Sequence, residues 1–196
     1  MHPILQRHNL FLVKEQVGMF KASNKFDIFD PNTGEQLLQC REPNISLFTK
    51  VFRFTDYKRM TPFDSHITTP QGDPVVRVSR GVSLLLSKVT VRDEADEPVG
   101  YFKQKLFSIG GAFTVLDEQE QPVCQLKGKW TGWDFRFMVG DTELAHVTKK
   151  WGGIGKELFT SADNYVLQIS DAVEPDNPAR MLILAAVMCI DFVLKE

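Results

Sequence analysis

Between Asn9 and Ser170 the chain repeats one design: a short apolar or alternating run, a cluster of turn formers, then a second such run. Residues 26–29 lead through Asp30-Pro31-Asn32-Thr33-Gly34 to residues 36–40, a hairpin with its turn residues in place. The design returns as 66–69 with 75–78, 89–92 with 99–105, 113–116 with 123–129, and 135–138 with 144–150. Asp93, Asp117 and Asp141, each in a turn, are spaced by 24 residues, a self-similarity that a meander of hairpins produces without a solenoid. Runs at 10–14 and 164–170 add strands at either end, while 45–54 reads as a strand or a short helix. β-branched and aromatic residues dominate these runs, so about twelve antiparallel strands are expected. A sheet of that length closes on itself to remove its edges.

Residues 181–194, MLILAAVMCIDFVL, break the period: thirteen of fourteen are apolar and only Asp191 interrupts. Asn177 fits an N-cap and Pro178 a first helical residue, which predicts a helix over 178–195. Its apolar residues surround the axis, so it must be enclosed by protein or by lipid. At about 1.5 Å per residue its part from Ala179 to Leu194 is roughly 24 Å long, short for a bilayer span. A twelve-stranded barrel, in turn, is too wide for its own side chains to fill. Barrel and helix complete each other, and the sequence predicts an all-β barrel of strands within 8–170 closed around a central C-terminal helix, one domain over 1–196.

Composition narrows the function classes. The chain has 196 residues, 43% hydrophobic, with 23 Lys and Arg against 25 Asp and Glu. A net charge of -2 gives no global field for nucleic acid. Cys40, Cys124 and Cys189 are far apart and odd in number, which suits a reducing compartment, and the N-terminal residues lack an apolar secretory core. The expected address is cytoplasmic; the Asn44-Ile45-Ser46 sequon then has no bearing. Residues 152–156, GGIGK, miss the phosphate-loop spacing, because Lys150 stands where the first glycine belongs and Glu157 follows the lysine. His2, His8, His66 and His146 have no ligand spacing, and there is no nucleophile elbow. No hydrolase or metalloenzyme is indicated, and no cofactor.

Lysines recur where successive hairpins end: Lys103 and Lys105, Lys127 and Lys129, Lys149 and Lys150. Residues i and i+2 of a strand share a face, so each of the first two pairs projects to one side. Aligned across the sheet they would form a basic stripe flanked by Trp130, Trp133 and Trp151, suited to phospholipid headgroups, with ammonium for phosphate and indole for the interface. The competing reading is solvated strand ends that lysines protect from edge pairing. Arg77 and Arg80 are further candidates for the stripe. Asp191 calls for a polar partner at the barrel mouth.

The C-terminal third resembles the phospholipid scramblase family. The matching features are Lys149 to Trp151, Gly153-Ile154, the run 157–160, Ala162-Asp163-Asn164, and the apolar helix with Ile190-Asp191-Phe192. The resemblance implies a tubby-like fold shared with the LURP-one-related proteins, and phospholipid binding or transbilayer phospholipid movement at a membrane surface, peripherally at its inner face. Where it would place a lipidated cysteine cluster, residues 81–87 read GVSLLLS without a thiol. Its calcium segment is represented by Asp163, Asn164 and Asp171, with Ser161 in place of the opening acid, a poor set for an ion that takes six to eight oxygens. The alternative reading is a soluble tubby-like ligand-binding or scaffold protein without scramblase activity. Oligomeric state is left open.

Overall fold

A computed structural model describes residues 1–16, 25–43, 62–81, 88–104, 113–129, 132–149 and 164–194. Twelve strands close into one barrel: β1 (Leu10–Glu15), β2 (Phe26–Phe29), β3 (Gln36–Arg41), β4 (Phe63–Thr68), β5 (Pro74–Arg80), β6 (Lys88–Arg92), β7 (Pro98–Gln104), β8 (Phe113–Asp117), β9 (Pro122–Lys129), β10 (Asp134–Val139), β11 (Thr142–Thr148) and β12 (Asn164–Ile169). Each strand pairs antiparallel with its sequence neighbours, and β1 closes the ring on β12 from Leu10↔Gln168 to Lys14↔Asn164. Among the described residues two helices accompany them, α1 (Pro3–Arg7) and α2 (Ala179–Leu194). This is the tubby-like architecture the sequence predicts; the run 45–54 lies outside the described residues.

Alternation sorts the wall. In β2 and β4 buried and half-buried residues alternate, and the buried set faces α2. Every residue of α2 from 179 to 190 is buried, as an all-round apolar helix requires. It packs chiefly on β5, β7, β8 and β12. At Gly100 in β7 the fit admits no side chain: a Cβ there would lie 2.3 Å from the Leu116 carbonyl oxygen and 2.8 Å from Leu182 Cδ2 of α2.

Because the meander is unbroken, the barrel has two distinct ends. The turns β2–β3, β4–β5, β6–β7, β8–β9 and β10–β11 share one end, the turn end, with α1 and the start of α2. Strands β1, β3, β5, β7, β9 and β11 finish at the far end. Three turns, at 69–73, 93–97 and 117–121, are built alike. The first residue's N–H donates to the fifth residue's carbonyl, at 2.9 Å in all three. A side-chain oxygen of Thr69, Asp93 or Asp117 accepts from the fifth N–H, at 3.0, 3.0 and 2.7 Å. The fourth residue takes positive φ in each: Gly72 at 100°, Asp96 at 63° and Glu120 at 61°. The 24-residue period thus starts at Thr69, and at Asp141 it ends in a tighter turn with Gly140 at φ 57°.

The turn end is sealed by a buried cation. Asn177 caps α2, its Oδ1 accepting from Ala179 N–H at 2.9 Å, and the next residue along is Arg180, 1% exposed. Its Nε donates to the Leu5 carbonyl at 2.6 Å, Nη1 to Val173 at 3.0 Å, and Nη2 to the His8 carbonyl at 2.7 Å and to Asn9 Oδ1. Asn9 in turn donates to Asp171 at 2.7 Å. Burial pulls the Arg180 pKa down and Asp171 opposes it. One guanidinium therefore ties α2 to α1, to the entry of β1 and to the loop after β12. The short α1, whose Leu5 is fully buried, is an element the hydrophobic pattern does not announce.

Arg180→Met leaves four acceptors without their donor, and should lower the unfolding free energy in urea by about 3–5 kcal/mol. Arg180→Lys should recover little, since an ammonium cannot span acceptors on three segments as a planar fork does; full recovery would refute the role. Gly100→Ala should cost about 2–3 kcal/mol as overpacking. Adding Leu182→Ala should not restore it, because the Leu116 carbonyl remains in the way.

Candidate functional site

Topology brings most of the sequence candidates to the far end. Lys103 is near the end of β7, Lys127 and Lys129 are near the end of β9, Lys149 follows β11, Trp133 precedes β10 and Asn164 opens β12. Lys105, Trp130, Lys150, Trp151 and Asp163 lie outside the described residues, as does the Lys129 side chain. Asp171 falls at the opposite, turn end.

The register decides how far the lysines align. Lys88, Lys103, Thr114 and Gln125 face one another across four strands. Lys127 belongs to the next row, with Arg136, His146 and Gln168. Lys103 and Lys127 are thus two strands and two residues apart rather than side by side, and each reaches away from the far end. The Lys103 ammonium is 2.6 Å from Glu120 in the β8–β9 turn, and Lys127 donates to the Gly140 carbonyl in the β10–β11 turn at 3.4 Å. Among the described residues Lys149 alone stays beside an indole, its ammonium 5.5 Å from the Trp133 ring centroid and its backbone N–H donating to the Trp133 carbonyl at 3.2 Å. Trp133 itself turns inward: it is 9% exposed and stacks on Tyr165 at 4.1 Å and 18°. It holds φ 51°, a conformation a bulky residue adopts only under packing constraint.

Arg77 and Arg80 do not extend the stripe. Arg77 faces outward and is clamped by Asp64 at 2.8 Å and Asp96 at 3.1 Å; hydrogen bonds from Arg77 hold the Asp64 carboxyl below its usual range. Arg80 faces the lumen, 4% exposed, with its guanidinium 5.0 Å from the Phe63 ring. Other wall groups likewise have local partners: Arg136 meets Glu143 at 2.9 Å, and His146 is hydrogen-bonded to Asp134 at 2.8 Å. Lys88 and Lys103 converge on Glu120, each at 2.6 Å, and Lys88 also lies 3.6 Å over the Tyr101 ring. Hydrogen bonds from Lys103 and then Lys88 hold Glu120 down to about 2. Strand alternation alone does not reveal this trio, because it depends on long side chains leaning along the wall.

Of the calcium candidates, the two described ones, Asn164 and Asp171, lie apart. Asn164 and Asp171 are separated by the whole of β12, roughly 20 Å at about 3.4 Å per residue, whereas calcium ligands lie about 2.3–2.6 Å from one ion. Asp171 is instead held by Asn9, and Asn164 is buried. Among the described residues no group of three or more His, Cys, Asp or Glu is placed to hold a metal.

With this geometry in hand, relatives can be compared. The family described as Scramblase matches residues 4–196. The chain belongs to the Scramblase family. It is 24% identical over 213 residues to phospholipid scramblase 2 of Homo sapiens, covering 98% of this chain and 69% of that protein. It is 25% identical over 150 residues to phospholipid scramblase 2 of Bos taurus, covering 69% of this chain and 50% of that one. It is 28% identical over 119 residues to phospholipid scramblase 1 of Mus musculus, covering 57% of this chain and 36% of that one. The chain thus spans between about a third and two thirds of these relatives. An X-ray structure of an Arabidopsis thaliana protein matches with a TM-score of 0.54 and 16% identity, over 94% of this chain and 91% of that one, a likeness of fold alone.

In this family member the three thiols are interior. Cys40, Cys124 and Cys189 are all buried, and none is in a disulfide; burial pushes Cys124 up to about 12 and Cys189 well above its ordinary value. Among the described residues no helix is long and apolar enough to cross a membrane. Native protein at pH 8 should leave all three thiols unmodified by a disulfide-exchange reagent, and denaturant should expose all three, since only the thiolate reacts. Labelling of any of them within minutes in the folded state would contradict this placement.

Proposed function

We propose that the chain binds phospholipid at a membrane surface from outside the barrel, with α2 remaining in the lumen, and that it serves transbilayer phospholipid movement as part of a larger event. Membership of the Scramblase family over 4–196 carries this reading. Enclosure of α2 supports the peripheral mode, because the segment best suited to hydrocarbon is already surrounded by protein. The contact residues proposed are Lys103, Lys105, Lys127, Lys129, Lys149 and Lys150, together with Trp130 and Trp151. Trp133 contributes by holding Lys149 in place rather than by inserting its own ring. Calcium has no part in this proposal.

The test is co-sedimentation with vesicles of phosphatidylcholine and phosphatidylserine. Binding should be present at low salt and weaken as salt rises, because exposed charges are screened. Lys127→Ala/Lys149→Ala should lower affinity tenfold or more, taking about 1 kcal/mol per lysine near an anionic surface. Absence of binding at low salt would return the chain to the ligand-binding or scaffold reading.

A further inference from the structure

Lys88 and Lys103 stand directly opposite on β6 and β7, facing the same way. Like charges in that position destabilise a sheet unless a counter-charge sits between them. Glu120 supplies it, with Oε1 2.6 Å from the Lys88 ammonium and Oε2 2.6 Å from the Lys103 ammonium. One carboxylate therefore balances two ammonium groups, leaving one positive charge over. The Tyr101 ring, 3.6 Å from the Lys88 ammonium, fixes the direction in which that lysine points.

Two features set this trio apart from the Arg77–Asp64 pair. The Arg77–Asp64 pair is a two-point clamp with Nε and Nη2 on separate oxygens, the arrangement in which a guanidinium holds its carboxylate most firmly. Lys88, Lys103 and Glu120, in contrast, are 42%, 51% and 45% exposed, and each contact is a single point. Second, Glu120 is carried on a hairpin at φ 61°, a position that is glycine in the matching turn at Gly72. A residue with a side chain is strained there, so its carboxylate is delivered by a turn that gains nothing locally from the choice.

We propose that Lys88 and Lys103 form a seat for a phosphomonoester, and that Glu120 is its tethered occupant, displaced when the phosphate arrives. Two non-bridging phosphate oxygens have nearly the span of two carboxylate oxygens, so both ammonium groups keep their contacts. A phosphomonoester brings about -1.5 to -2 charges at pH 7 and balances the pair more fully than one carboxylate. No bond forms or breaks; Glu120 exchanges lysine contacts for water. The seat accepts a free phosphate or the headgroup of a lipid such as phosphatidic acid, and only the second case rests on the membrane reading above.

Titration of the full chain with inorganic phosphate, against chloride at equal ionic strength, should shift the backbone amide signals of Lys88, Lys103 and Glu120. Glu120→Gln should tighten phosphate binding roughly three- to tenfold, since removing the competitor frees both ammonium groups of exposed ion pairs. Lys88→Ala/Lys103→Ala should abolish it with an unchanged thermal midpoint. No gain in Glu120→Gln would overturn the proposal even if the double variant fails to fold; so would phosphate shifts that persist in a folded double variant. The membrane arm uses phosphatidylcholine vesicles containing phosphatidic acid or, at matched charge, phosphatidylserine. A Glu120→Gln gain on phosphatidic acid only assigns the seat to a lipid; a gain with inorganic phosphate and none on vesicles assigns it to a soluble ligand. Vesicle binding lost in Lys127→Ala/Lys149→Ala, with the Glu120→Gln gain for phosphate intact, keeps the two readings apart.

Discussion

A helix apolar on every side has to be surrounded, and a closed wall of twelve strands has to be filled; the fold rests on the burial of α2 inside the barrel. Neither part has a stable form without the other, because the helix alone would present its apolar residues to water and the wall alone would enclose a void. The contact is close enough that β7 carries glycine where Leu182 passes. Charge then fixes the depth of insertion. Arg180, in the first turn of α2, is the wrong sign for a helix N-terminus, where the macrodipole favours anions. It is tolerated because carbonyls of α1 and of the β12–α2 loop receive its donors. Arg80 is buried in the wall nearer the helix's other end, where it influences the Cys189 thiol and where a cation suits the dipole.

The outer wall follows a different rule. Its cations are matched by acids of the strands, as Asp64 for Arg77 and Glu143 for Arg136, and by acids supplied from hairpin turns, Asp96 for Arg77 and Glu120 for Lys88 and Lys103. Both turn acids occupy the fourth, positive-φ position of the repeated turn. The turn that sets strand register also sets the surface potential. A chain with nearly balanced formal charge can therefore still keep local groups of like-charged side chains, each under its own short-range control.

How much of this could be read from the sequence depends on the range of the interaction concerned. Hairpins were legible because their determinants are local: Asp30 to Gly34, or Asp93 and Asp117, act on backbone within five residues. The central helix was legible because an uninterrupted apolar run of its length has few solutions. Thr69 was missed as the first member of the period because threonine replaces aspartate while its hydroxyl performs the same bond. The five-residue α1 is too short to show a period. Arg180 left no pattern, since its partners are backbone carbonyls, which every residue has. The basic stripe was legible in composition and end of barrel, but not in register: the pairing Lys103↔Thr114↔Gln125 sets Lys127 in another row. The separation of Asn164 from Asp171, by contrast, follows from the strand already read between them.

The order of elements along the chain also shapes how the molecule must be made. Each strand pairs with the one before it, and the loops to close at the turn end are short, a topology that favours fast local steps. The exception is β1 with β12, which joins the two most distant strands. The segment that fills the lumen follows all twelve. During synthesis from the N-terminus, eleven paired strands stand with an apolar inner face and nothing to cover it until β12 and α2 emerge. The interval between finishing the wall and receiving its filling is when this chain is most exposed to aggregation, and the helix that ends that interval is also the one that Arg180 latches to α1, the element that precedes all twelve strands.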